Sequence, residues 1–207
     1  MIIDLILVTG AYLLGSISSA IIVCRLMGLP DPRTQGSSNP GATNVLRIGG
    51  KMAAGITLAG DGLKGLLPML VGHLLDVGPT LLAATGLAAF LGHLYPIFFG
   101  FRGGKGVATT LGIQLGLYWP IGLTVAAVWL FVAKVLKISS LSALVCMALA
   151  PFVVWAFQPQ LILVGMQILI SLTLFWRHHS NIRNLISGSE GKLTDTDTDT
   201  DTDTAVL

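Results

Sequence analysis

The sequence predicts an all-α polytopic integral membrane protein of seven transmembrane helices, with the N-terminus outside and the C-terminus in the cytoplasm. Three observations predict it. The 207 residues are 53% hydrophobic and only 11% charged, with a mean hydropathy of +0.81; a soluble domain carries about 25% charged residues. Apolar runs of near membrane-spanning length recur along the chain. The lysines and arginines gather in alternate loops.

A bilayer core asks for about 20 apolar residues per helix. Segments 2–24, 53–75, 79–98, 107–118, 121–136, 141–157 and 161–176 meet or approach that length. The first lacks a basic leader and reads as a retained helix, not a cleaved signal. Trp119-Pro120 reads as a turn between the fourth and fifth spans; without it, 107–136 would be one broken helix.

The basic residues set the orientation. Arg25, Arg33, Arg47 and Lys51 follow span one; Arg102 and Lys105 follow span three. Lys134 and Lys137 end span five, and Arg177, Arg183 and Lys192 follow span seven. The opposite ends, 1–4, 76–79, 118–120 and 158–160, hold no lysine or arginine. This is the positive-inside pattern of an odd number of spans.

Lys64 is the exception. With Asp61 at i, i+3 it lies inside span two, where the two charges neutralise one another as a structural pair or as a support for functional helices. Ala11, Gly15 and Ser19 repeat at i, i+4, a small-residue stripe for close helix packing. Cys24 and Cys146 read as apolar thiols. Residues 1–193 form a single transmembrane domain; 194–207, alternating Thr and Asp before the last apolar residues, read as a disordered low-complexity tail.

The orientation brings three polar segments to the cytoplasmic face. The first, GSSNPGATNVLR at 36–47, is rich in small hydroxyl and amide side chains and ends in Arg47, which can grip a phosphate bidentately. Alone it is also an ordinary turn region. The second is FRGGKGVAT at 101–109, preceded by GHLYP. It does not match the Walker A pattern, which needs glycine where Phe99 stands and Ser or Thr where Gly106 stands, so ATP hydrolysis is disfavoured. What remains is an anion nest completed by the helix N-terminus at Val107, or a flexible turn with a snorkelling Arg102. The third is RHHSNIR at 177–183. If span seven continues as a helix, His178 and Asn181 share a face, and a histidine there can donate to an anion or act as acid–base. The cluster otherwise simply ends the last helix.

Together, GSSNPGATNVLR, GHLYPIFFGFRGGKGVAT and RHHSNI resemble the three motifs of the bacterial acyl-phosphate-dependent glycerol-3-phosphate acyltransferases. One departure is Ser38, where the family often has glycine. The resemblance implies that 1–193 is one transmembrane acyltransferase domain. It implies transfer of a fatty acyl group from acyl phosphate to the 1-hydroxyl of sn-glycerol 3-phosphate. Lysophosphatidic acid and phosphate are the products, early in phospholipid synthesis.

By this resemblance Ser37 and the backbone of Gly103, Gly104 and Gly106 bind the donor phosphate. Arg47, Lys105, His178 and Asn181 hold glycerol 3-phosphate and the charge that develops on reaction. Thr43 and Asn44 support the loop, and Ser140 touches the acceptor. The attacking hydroxyl gives its proton to the substrate phosphate or, in the competing version, to His178. The implied setting is a bacterial cytoplasmic (inner) membrane, with the site facing the cytoplasm. Membrane lipid and an acyl-phosphate-supplying enzyme are the partners. No nucleic acid is expected. Neither is a cofactor or a metal, because four histidines occur without a carboxylate–histidine cluster. A transporter of phosphorylated solutes would show internal repeats and polar groups at the midplane, and a structural subunit would leave the glycine loop unexplained.

Overall fold

The computed structural model describes residues 1–193; the Thr/Asp segment 194–207 lies outside the described residues. Every regular element among them is helical: α1 Ile2–Gly15, α2 Ser19–Leu26, α3 Ala42–Leu74, α4 Pro79–Leu94, α5 Val107–Leu117, α6 Trp119–Leu136, α7 Ser139–Phe157, α8 Leu161–Arg177 and α9 His179–Ser187. A single 3₁₀ turn, Ile97–Phe99, follows α4.

The seven expected segments all fall on helices, with changed boundaries. By length and composition four helices can cross a membrane alone, or up to six spans result if each bent pair counts as one. The fourth expected span, 107–118, is α5 of 11 residues, about half of a ~30 Å hydrocarbon core at ~1.5 Å per residue. The first span is two helices bent by 43° between α1 and α2. Ser19 therefore leaves the straight stripe begun by Ala11 and Gly15, and its Oγ lies where a side chain on Gly60 would stand.

Of the segment 36–47, which alone could be an ordinary turn region, the part from Ala42 onward is helical. Gly41 caps it in an extended conformation, and Gly50 (φ 74°, ψ −175°) breaks the helix before the membrane limb begins. Trp119-Pro120 does separate α5 from α6, but the break is at Tyr118, and Pro120 opens the new helix, where its missing N–H costs nothing.

Glycines let the helices meet backbone to backbone. A methyl on Gly65 would strike the carbonyl of Thr109, and one on Gly112 that of Gly62, so α3 and α5 touch directly. Gly15 and Gly92 do the same for α1 and α4 against Ala89 and Tyr12. The core between α3, α4, α5 and α8 is filled by Met69, Phe90, Leu94, Ile113 and Ile170. A buried polar chain crosses it. Gln114 Nε2 donates to Gln167 Oε1 (3.0 Å), Gln167 Nε2 to Ser171 Oγ (3.1 Å), and Ser171 Oγ to the Met147 carbonyl (2.8 Å). It ties α5, α8 and α7 where no water can replace a lost partner.

Lys64 answers a problem made by the first bend. Breaking the helix between α1 and α2 frees the carbonyl of Ile17, and Lys64 Nζ donates to it at 2.8 Å. Asp61 balances the ammonium at 2.9 Å.

Candidate active site

One cavity of about 510 Å³ opens where the three polar segments converge. Ser37, Thr43, Asn44 and Arg47 line it from the first segment, and Lys105 and Gly106 from the second. His178 and Asn181 reach it from the third, with Ser140 from the start of α7. Gly103 instead faces a smaller cavity of about 230 Å³ on the other side of the glycine loop, beside Arg33, Arg102 and Arg177. Gly104 lies between them, packed on His93 and the Pro40 carbonyl.

The glycine loop is fixed from several sides. Gly103 N–H donates to Leu94 O (3.2 Å), and Arg177 donates to the carbonyls of Gly103 and Gly104, both at 3.1 Å. Gly106 has φ 93°, a conformation only glycine adopts without strain. It begins α5, whose first N–H groups have no intrahelical acceptor. Among the described residues, none takes up the N–H of Gly104, Lys105 or Gly106 as a hydrogen bond. Carbonyls thus point at Arg177 while amides stay free, an arrangement suited to an anion.

The first segment is held by Asn44, which is 1% exposed. Its Oδ1 accepts from Ser37 N–H (2.8 Å), and its Nδ2 donates to the carbonyls of Pro32 (2.8 Å) and Gln35 (3.0 Å). The amide is spent on its own loop, so Asn44 shapes the site through Ser37. Thr43 Oγ1 shares a 3.0 Å hydrogen bond with Ser139 Oγ. Arg47 spends no hydrogen bond on any described residue.

His178 and Asn181 meet the cavity by a route the sequence reading did not foresee. The chain bends by 57° between α8 and α9, so no continuous helix carries both. His178 Nδ1 lies 2.8 Å from the Leu174 carbonyl. A carbonyl only accepts, so Nδ1 carries the proton and Nε2 is left as an acceptor in the neutral ring. Burial pushes the His178 pKa down to about 4, with Lys105 and Arg177 adding to it and the Leu174 bond opposing. The ring is therefore neutral at physiological pH. Burial also pushes Lys105 down to about 8, Arg177 and Arg47 in the same direction and Glu190 against it.

Glu190 is the residue sequence reasoning missed. Its Oε1 accepts from Ser140 Oγ and from Asn181 Nδ2, both at 2.6 Å. Lys105 Nζ donates to Asn181 Oδ1. Ser140 is thus turned to the carboxylate. A lone acid between serine, glycine and lysine, just before the tail, gave no motif to read. Arg33 enters the sequence reading only as an orienting charge; Arg177 opens the third segment there without an assigned role. Arg33 is held by Asp31 at 2.7 Å and donates to the Phe99 carbonyl at 3.1 Å.

The far end of the cavity is apolar. Leu58 from α3, Val107 and Leu111 from α5, and Trp129 and Leu130 from α6 line it. Leu58 and Leu130 are exposed on the outer surface. Both α3 and α6 pack on α5, α6 more extensively on α7, and the cavity runs between α3 and α6. Among the described residues there is no group of three or more His, Cys, Asp or Glu able to hold a metal ion.

The geometry agrees with relatives. A family model described as glycerol-3-phosphate acyltransferase matches residues 5–188. The glycerol-3-phosphate acyltransferase of Hydrogenovibrio crunogenus is 57% identical over 189 residues, 91% of this chain and 90% of the relative. That of Methylococcus capsulatus is 53% identical over 191 residues, 92% of this chain and 96% of the relative. The crystal structure of PlsY (YgiH), an integral membrane glycerol 3-phosphate acyltransferase, in its glycerol 3-phosphate form superposes with TM-score 0.88 at 37% identity. Its lysophosphatidic acid form gives 0.85 at 36%; each alignment covers 91% of this chain and 94% of the other. A match over nearly the whole chain, with all three motifs inside it, makes this protein a member of the glycerol-3-phosphate acyltransferase family.

Proposed function

We propose that the enzyme takes its acyl group from a fatty acyl phosphate and passes it to the 1-hydroxyl of sn-glycerol 3-phosphate. The observation that carries this is the two-ended cavity: cations and free amides at one end, an apolar groove open between α3 and α6 at the other. A donor with a phosphate head and a hydrocarbon tail fits such a site, and the second phosphate of the acceptor fits the remaining cations.

Ser37 and the free amides of Gly104, Lys105 and Gly106 hold the donor phosphate, while Gly103, whose N–H is spent on Leu94, shapes the loop. Arg47, Lys105, His178 and Asn181 hold the acceptor and the charge that develops. The acceptor hydroxyl oxygen attacks the acyl carbonyl carbon, the carbon–oxygen bond to phosphate breaks, and phosphate leaves with the electron pair. An acyl phosphate is already activated, so no acyl-enzyme is needed; orientation and charge stabilisation suffice. His178 is a weak base at its depressed pKa and keeps an acceptor nitrogen for positioning the hydroxyl. The proton goes to a substrate phosphate oxygen.

The same reading has α5 cross as a seventh span, the N-terminus outside, and the site facing the cytoplasm of a bacterial inner membrane. An enzyme that makes acyl phosphate supplies the donor, and residues 1–193 act as one domain. The test is phosphate release by the purified protein in lipid mesophase. Release from palmitoyl phosphate that depends on glycerol 3-phosphate, with no transfer from acyl-CoA, supports the assignment. Transfer from acyl-CoA alone refutes the donor.

A further inference from the structure

Asp61, Lys64 and His93 are 2%, 4% and 6% exposed, and the chemistry above gives none of them a task. Asp61 Oδ1 stands 2.9 Å from Lys64 Nζ and 3.7 Å from His93 Nδ1. Lys64 also holds the Ile17 carbonyl, where α1 gives way to α2. On the other side, Nε2 and Cε1 of His93 fill the space that a methyl on Gly104 would need. A line of contacts therefore runs from Ile17 through Lys64, Asp61 and His93 to Gly104. It joins the bend that launches α2 and the first polar segment to the loop that carries Lys105.

Glycines give the loop no side chains with which to hold its own path. Arg177 grips it by its carbonyls. His93 supports it at Gly104, and Asp61 lies on the Nδ1 side of that ring. A buried carboxylate needs a balancing charge, and Lys64 supplies it. We infer that His93 is a positioning residue for acyl transfer: braced by the Asp61–Lys64 pair, it sets the height of the glycine loop against the donor phosphate. The inference rests on the phosphate-nest reading above. His93 and Asp61 also line the substrate cavity; in this scheme His93 acts on the loop and is assigned no substrate contact.

The experiment compares full-length His93→Ala, His93→Asn, Gly104→Ala and the double variant His93→Ala/Gly104→Ala in the phosphate-release assay, with thermal melting alongside. His93→Ala should lower kcat/KM about 10- to 100-fold, the usual range for a lost supporting group. His93→Asn should recover much of that loss. Removing the ring relieves the methyl's closest contact, leaving only the Pro40 carbonyl at 2.9 Å, so the double variant should be faster than Gly104→Ala alone.

A His93→Ala protein with wild-type kcat/KM and only a lower melting temperature would make the ring simple packing and overturn the inference. So would losses in the double variant that multiply independently. Should His93→Ala fail to fold, Asp61→Asn/Lys64→Met removes the charges together, and full kcat/KM in that variant also overturns it. If the wild type ignores palmitoyl phosphate but uses another acyl donor, the donor assignment fails. The same variants assayed with that donor still decide the role of His93.

Discussion

Lys105 donates to Asn181 across 76 positions of sequence. This bond joins the glycine loop to α9, and Asn181 passes the constraint to Glu190 and so to Ser140. Side chains from the middle and the end of the chain are thus set in mutual register.

The alkaline limb of activity should belong to Lys105. Only the ammonium attracts phosphate, and it is lost as pH rises through about 8. The pH profile of kcat/KM should be level just below that value and fall about tenfold per unit above it. In Lys105→Arg the guanidinium stays charged, so the slower variant should lose this limb. A limb that persists in Lys105→Arg assigns it to another group.

His178→Gln should lower kcat about 10- to 100-fold through lost positioning. It should keep the acid limb near pH ~6, where a phosphate monoester takes its second proton. Above about 4 the native ring is neutral, so its own titration contributes nothing at that pH. Disappearance of the acid limb in the variant would make the histidine the base after all.

Asn44→Ala should damage both stability and substrate affinity. It strands Ser37 N–H and the carbonyls of Pro32 and Gln35. A buried group without its partner costs about 1–3 kcal/mol. Melting temperature should fall, and KM should rise as Ser37 drifts. A stable variant with unchanged KM would show that the loop holds itself.

Two glycines in helices should behave oppositely. Gly112→Ala drives a methyl into the Gly62 carbonyl, an overpacking that costs about 1–3 kcal/mol. Gly10→Ala meets nothing within 4 Å and should gain about 0.5–1 kcal/mol from helix propensity. Thermal melting in one detergent compares them directly.

Ser38 has φ 54°, the left-handed region that favours glycine. Relief of that strain is worth about 1–2 kcal/mol, partly offset by glycine's greater freedom in the unfolded chain. Ser38→Gly should melt at or slightly above the wild-type temperature with activity retained. A clear drop in melting temperature would show that the serine hydroxyl contributes more than its backbone costs.

Hydropathy alone located the apolar helical stretches, because burial in lipid demands continuous apolar runs, but not the polar helices at 42–49 and 179–187. It did not locate the bends. The break at Gly50 and the turn at His178 are set by capping geometry and by partners distant in sequence. The helix at 42–49 was obscured by Ser, Asn, Gly and Pro just before it, whose turn signal bled into a short polar helix. The residues that meet substrate-sized space were legible because their chemistry is concentrated in three motifs. The roles of their supports were not: Glu190 stands outside every motif, and Arg177 and His93, though inside two of them, act through partners far along the chain, pairings that leave no local pattern. Asp61 and Lys64 announced themselves as a pair, yet only the freed Ile17 carbonyl explains why a lysine belongs inside the span.

Arg177 contacts the glycine loop across more than seventy intervening positions. A ribosome must therefore deliver the last membrane helix before that loop, finished long before, is clamped into its working shape. Prematurely terminated translation products would carry the loop without its clasp, and nascent chains would remain inert until synthesis is nearly done.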